Sequence, residues 1–195
     1  MRKQPRQARS HATIEAILQA AAHILGERGW RGLTTNAVAD VAGVSIGSLY
    51  QYFPNKLALI EGVRQRHFND ILMALRAATE GEQPGRRRIE AFVDGMIAAH
   101  AHHPATHRVL LEEAPRGEAS RPTHEAFEAG YLTCYERLVA SVNPQSSGDD
   151  RKRRARVLSA ALAGATHDAA RSGSLQTPEL RQELIELVTG YLKVD

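Results

Sequence analysis

The chain has 195 residues, 43% hydrophobic and 24% charged, enough to bury a core and ordinary for a soluble globular protein. Its single cysteine, Cys134, excludes an intramolecular disulfide and any cysteine-based zinc finger. No apolar run reaches the length of a membrane span, and the basic, polar start is unlike a signal peptide, so a cytoplasmic protein with no membrane partner is expected.

The net charge of +3 is unevenly placed. Through Arg66 there are nine Lys/Arg against four Asp/Glu (+5), and the remainder has sixteen against eighteen (−2). A basic N-terminal third on a slightly acidic body points to a polyanion held at one end. Residues 1–9 carry Arg2, Lys3, Arg6 and Arg9 with no acid and no apolar pattern, and read as a disordered basic tail. Such a tail is either an arm that touches phosphates or a solvated start that only raises local charge.

From Ser10 the pattern changes. Ile14, Ile17, Leu18, Ala21, Ile24 and Leu25 recur at three and four, the stripe of an amphipathic helix. Gly29 reads as a left-handed helix stop, and Trp30, the only tryptophan, as a residue packed over the core that follows.

Residues 33–56, LTTNAVADVAGVSIGSLYQYFPNK, carry the strongest functional signal. Thr34 is a good N-cap for a short helix through Val38, Ala39 and Val41, and Gly43 suits the sharp turn that ends it. Ser45 caps a second helix in which Leu49 and Phe53, four apart, share an inward face. Ile46, Gly47, Ser48, Tyr50, Gln51 and Tyr52 are left mostly outside. This is the pattern of a helix-turn-helix whose second helix enters a DNA major groove. Pro54 ends that helix, and Asn55 caps a long one with Leu59, Ile60, Val63, Phe68, Ile71, Leu72 and Leu75, running to about Thr79.

The body continues in the same helical idiom. Helices are predicted at 87–103, ended by Pro104, then at 106–114 and 123–142, with loops at 80–85, 115–122 and 143–148. The segment 151–171 is rich in alanine and glycine, which lets helix axes approach closely. A last helix starts at Pro178 behind Thr177 as cap. These two C-terminal helices either close the monomer's core or pair with a second copy as a four-helix bundle.

His100, His102, His103 and His107 form one cluster with a metal-binding look. Pro104 interrupts it and no carboxylate sits at ligand spacing, so a solvated or loop-rim group is expected and no metal. Cys134 reads as a small buried residue. There is no Gly-rich phosphate loop after a strand, no nucleophile motif and no HExxH, so no enzyme and no cofactor are expected; a helical hydrolase or metal enzyme built on the histidines is the alternative.

Ile17-Leu18 with Ala20-Ala21, then Gly29, Leu33-Thr34-Thr35, Ala39 with Ala42-Gly43-Val44-Ser45, and Gly47-Ser48-Leu49-Tyr50-Gln51-Tyr52-Phe53 with Asn55-Lys56 resemble the N-terminal domain of TetR-family transcriptional regulators. The resemblance spans residues 13–60. It implies an all-α protein: an N-terminal three-helix helix-turn-helix DNA-binding domain at 10–56, and a C-terminal helical ligand-binding and dimerisation domain at 57–195.

Carried over by position, Thr34 and Thr35 are implied to bond phosphate, and Ser45, Ile46, Gly47 and Ser48 to lead the recognition helix into the groove. Tyr50, Tyr52 and Lys56 are implied to reach the DNA backbone, while Gln51 reads adenine and Ile46 touches a thymine methyl. No Arg or Lys lies in 45–52 for bidentate guanine readout, so discrimination leans on DNA shape.

The resemblance further implies an inducer pocket at Phe92, Met96, His100, His107, Leu111, Phe127, Tyr131 and Tyr135. It implies a homodimer interface at Leu158, Ala161, Leu162, Ala165, Leu184, Leu187, Val188 and Tyr191. The implied function is a repressor bound to double-stranded DNA at a near-palindromic operator and released by an unidentified small molecule. The ligand need only disfavour the head spacing that fits two successive major grooves, about 34–36 Å apart.

Overall fold

The computed structural model describes residues 4–81, 83–101, 104–115 and 118–194, without the side chains of 4–9, 104, 111, 112 and 119. Among these residues the chain forms α-helices and one 3-10 turn, and no strand. In order they are α1 (Gln4–Gly32), α2 (Thr35–Ala42), α3 (Ile46–Tyr52), α4 (Lys56–Thr79), α5 (Gly85–Ala101), α6 (Pro104–Glu112), the turn Glu118–Ser120, α7 (Arg121–Val142), α8 (Gly148–Ser172) and α9 (Pro178–Leu192). No helix among them is long and apolar enough to cross a membrane.

Several boundaries correct the sequence reading. The tail expected to be disordered is helical from Gln4; residues 1–3 lie outside the described ones. Pro5 sits in the first turn, where a missing N–H breaks no helical bond, and its neighbours Arg6, Gln7, Ala8 and Arg9 are sound helix formers. For the same reason Pro104 opens α6, which was expected only from 106, and Pro122 lies inside the first turn of α7. Ser147 accepts from the Asp150 N–H at 3.2 Å and so starts α8 three residues earlier than expected.

The chain divides into two compact units, Met1–His67 with His103–Ser120, and Phe68–His102 with Arg121–Asp195. The boundary therefore falls inside α4 rather than at 56/57, and α6 belongs to the first unit. The first unit's core explains why. Leu59, Ile60 and Val63 of α4 and Val109 and Leu110 of α6 are buried together with Ile17, Leu18, Ile24 and Leu25 of α1, Val38 of α2 and Leu49 of α3. A three-helix head of some 45 residues is below the size at which a core closes by itself with ease, and these two elements complete it.

Close approach in this unit depends on Gly62. A Cβ there would lie 2.8 Å from Phe53 Cε1 and 2.9 Å from Leu18 Cδ2. The single-cysteine expectation holds in the second unit, where Cys134 is buried with Phe92, Met96, Tyr135 and Leu138. There α7 runs along α8 and α5 along α9.

Candidate nucleic-acid interface

The head is built by local capping. The Thr34 hydroxyl accepts from the Ala37 N–H at 3.2 Å, and the Ser45 hydroxyl from the Ser48 N–H at 3.1 Å. Between them Gly43 takes φ 67°, ψ 30°, and the Val44 N–H returns to the Ala39 carbonyl at 3.0 Å. This left-handed closure turns the chain sharply with no side chain in the way.

The recognition helix α3 buries Leu49, with Phe53 just beyond its end. It exposes Ile46 (38%), Gly47, Tyr50 (46%) and Gln51 to solvent. Ser48 and Tyr52 were expected outside but are half-buried. The Ser48 hydroxyl is tied to that of Ser45 at 2.8 Å; Tyr52 packs on the head core and its hydroxyl reaches Ser10 Oγ at 3.4 Å. Of the two tyrosines, Tyr50 is the outward one. Its hydroxyl lies 3.1 Å from that of Thr35, which links the first turn of α2 to the middle of α3 and fixes both groups on one surface.

Lys56 has a second engagement that its charge did not reveal. Its ammonium donates to the Trp30 carbonyl at 2.6 Å and sits 3.9 Å from the centre of the Trp30 ring. Burial pushes its pKa below the ordinary lysine value.

Gly29 does break α1, but not as a left-handed stop: its φ is 65° and its ψ −175°, and helix resumes to Gly32. This backbone region is essentially reserved for glycine. Here it points the Trp30 N–H at Glu113 Oε2, 3.3 Å away, and the same carboxylate holds Arg108 at 3.2 Å. Two further ties bind the α6 segment to the head. Thr106 donates to the Ala22 carbonyl at 2.9 Å. Arg64, only 3% exposed, pairs with Glu61 at 2.6 Å and donates to the Pro115 carbonyl at 3.2 Å and Ser120 Oγ at 3.3 Å. None of Arg64, Thr106 and Glu113 stood out in the sequence, because each acts on a partner far along the chain.

The expected inducer pocket is only partly brought together. His107 belongs to the first unit and the Leu111 side chain lies outside the described residues, as do His102 and His103. The others share the second unit. Phe127 and Tyr131 rings are 5.4 Å apart, Tyr131 and Tyr135 5.0 Å, and Tyr135 meets Phe92 edge-on at 4.8 Å. Phe68, not anticipated, stacks on Phe127 at 4.0 Å. The two tyrosine hydroxyls bond at 3.0 Å, and Tyr135 reaches Met96 Sδ at 3.5 Å. Burial raises the pKa of both phenols. His100 and His107 are buried rather than solvated or on a loop rim, which corrects that expectation; His100 is bonded to the Met96 carbonyl at 2.8 Å, and burial lowers its pKa.

The expected dimer residues split in two. Leu158, Leu162, Leu184 and Val188 are buried in this chain's own core, which corrects their assignment to an interface. They sit at a spacing of four on the inner faces of α8 and α9, against α5 and α7. Ala161, Leu187 and Tyr191 are exposed, and Ala165 is half-buried against the core. Val157, an apolar residue of the same helix that was not among the expected interface residues, is 47% exposed beside them.

With this geometry in place, two family descriptions fit the chain: "Bacterial regulatory proteins, tetR family" over residues 17–63, and "Tetracyclin repressor-like, C-terminal domain" over residues 84–192. The chain belongs to the tetR family. Among curated relatives it is similar to the HTH-type transcriptional activator FasR of Mycolicibacterium smegmatis, 32% identical over 96 residues, 49% of this chain and 44% of that protein. It is also similar to the nucleoid occlusion factor SlmA of a Marinomonas species, 30% identical over 105 residues, 54% of this chain and 53% of that one. The chain thus spans about half the length of the curated relatives it matches. The crystal structure of a putative transcriptional regulator from Pseudomonas aeruginosa PAO1 shares its fold, with a TM-score of 0.76 at 22% identity, over 99% of this chain and 94% of that one.

Proposed function

We propose that this tetR-family chain is a DNA-binding transcriptional regulator acting in the cytoplasm as a homodimeric repressor, which occupies a near-palindromic operator and is released by a small molecule. The observation that carries the DNA-binding reading is the doubly capped, uncharged α3, with Ile46, Gly47, Tyr50 and Gln51 outward and Tyr50 locked to Thr35. Ile46 and Gln51 suit a thymine methyl and an adenine edge; the Thr34, Thr35 and Tyr50 hydroxyls suit phosphate.

The relatives' names describe an activator and a nucleoid occlusion factor, so likeness carries no sign of regulation. Repression is proposed because bound protein excludes polymerase from a promoter with no further contact surface. The inducer site is proposed in the second unit, around Phe92, Met96, Phe127, Tyr131 and Tyr135. Rings with one pair of buried hydroxyls suit a mainly apolar ligand carrying one hydrogen-bonding group. The homodimer is proposed through the exposed side of α8 and α9, at Val157, Ala161, Leu187 and Tyr191.

The test is a mobility shift with the DNA flanking the chain's own gene across a salt series. Tight binding that weakens steeply with salt, with half-sites about 34–36 Å apart in the footprint, supports the reading. Equal affinity for that DNA and for random duplex overturns it.

A further inference from the structure

The expectation of no metal rested on spacing inside 100–107, but in the second unit His100 meets a histidine from another helix. His100 ends the buried face of α5 that carries Ile89, Phe92, Val93 and Met96. Its Nδ1 lies 2.8 Å from the Met96 carbonyl, one turn back. A carbonyl only accepts, so Nδ1 holds the proton and the neutral ring keeps its lone pair on Nε2. A backbone carbonyl on the far nitrogen is the support that orients metal-ligating histidines. Burial first, and then the neighbouring His167, lower the His100 pKa, which keeps the ring in its ligand form.

His167 comes from α8, which packs against α5 in the same unit. It is half-buried and follows Thr166, a buried residue whose hydroxyl donates to the Leu162 carbonyl at 2.8 Å. The two rings are 5.5 Å apart between centres and tilted by 52°, and each offers a nitrogen within 4.8 Å of the other's. An ion held at about 2.0–2.1 Å from each nitrogen sets the two about 3–4 Å apart, a gap that rotation of the half-buried His167 ring closes. Asp168 turns instead to Arg171, at 3.0 Å on the exposed side of α8. No carboxylate joins the pair among the described residues. Imidazoles alone suit late first-row divalent ions, whereas calcium and magnesium require oxygen ligands.

We propose that the second unit holds one exchangeable divalent transition-metal ion, of the class of Zn²⁺, Ni²⁺ and Cu²⁺, between His100 and His167. Two protein donors leave the other coordination positions to water, which distinguishes the site from a closed structural zinc. The ion ties α5 to α8 and stabilises the second unit by mass action. It differs in chemistry from the mainly apolar inducer proposed above and does not depend on it.

The test titrates the full chain, freed of any affinity tag and stripped by a chelator, with Cu²⁺ and with Zn²⁺ in a buffer that binds neither. The wild type is expected to take up one ion per chain, and bound Cu²⁺ to show the splitting of two imidazole nitrogens in its paramagnetic resonance spectrum. Changes to the outer shell of a metal site already cost about 10–100-fold in affinity, so losing a ligand by His167→Gln or His100→Asn is expected to cost about a hundredfold or more. Circular dichroism checks that each variant keeps its helices. Zn²⁺ is expected to raise the thermal midpoint of the wild type and leave that of His167→Gln unmoved. The control is His23→Gln with His124→Gln, because the surface pairs His23–Glu27 at 3.5 Å and His124–Glu128 at 3.1 Å are where an adventitious ion would sit. It is expected to bind like the wild type. Uptake that survives His167→Gln, uptake that disappears in the control, or a wild-type chain that takes up neither ion overturns the site.

Discussion

Gly29 gives the sharpest test of how the head is held. Replacing it with alanine forces a Cβ into a φ of 65° and a ψ of −175°, and to 2.8 Å from Glu113 Oε2. The backbone conflict is worth about 1–3 kcal/mol. Displacing the carboxylate also removes its bond to the Trp30 N–H, roughly 1 kcal/mol more for a partly exposed charged acceptor. Against this, alanine restricts the unfolded chain and returns about 0.4–1 kcal/mol. A net loss of about 1–3.5 kcal/mol follows, centred near 2. Gly43→Ala is the control. Its φ is also positive, at 67°, but its ψ of 30° is an allowed left-handed value and nothing lies within 4 Å of the added carbon. It is expected to cost about 1 kcal/mol. Trp30 fluorescence during urea unfolding reads the first unit directly. A Gly29→Ala midpoint equal to or above that of Gly43→Ala refutes the steric part. A Glu113→Ala background that leaves the Gly29→Ala penalty unchanged refutes the coupling to Glu113.

Three further variants test named contacts. Arg64→Met strands the Glu61 carboxylate and is expected to cost about 3 kcal/mol by the same urea assay, with Glu61→Gln added to it recovering a large part. Lys56→Met is expected to lose about 1–2 kcal/mol of head stability without DNA, through the Trp30 carbonyl and ring. Because that ammonium is already engaged, the same variant should change the salt slope of operator binding by less than the value of about 0.9 for one phosphate contact; a full unit of change refutes this. His100 is held neutral by burial, so its folded pKa lies below the ordinary value of 6.5. The unfolded chain then takes up the proton more readily, and stability present above that value falls as pH drops through it toward the folded pKa. In His100→Asn that stretch of the stability–pH profile should flatten; an unaltered profile refutes the assignment.

The local structure of the head was legible in the order of its residues. Thr34, Gly43, Ser45 and Pro54 act within four residues of themselves, through caps, a left-handed turn and a missing donor, so their effects are written in order along the chain. The inward pair Leu49 and Phe53 was legible for the same reason: helical periodicity reports which residues share a face. Periodicity does not report what covers that face. Leu158, Leu162, Leu184 and Val188 form apolar stripes that suit a partner or an interior equally, and only the packing of α8 and α9 against α5 and α7 turned them inward. Their exposed side became visible once those stripes were assigned. Long-range packing likewise sets α6 in the head's unit and closes the 83-residue separation between Trp30 and Glu113 into a hydrogen bond. Such contacts join groups whose own neighbourhoods carry no mark of the partner, and the free energy that selects them belongs to the assembled core.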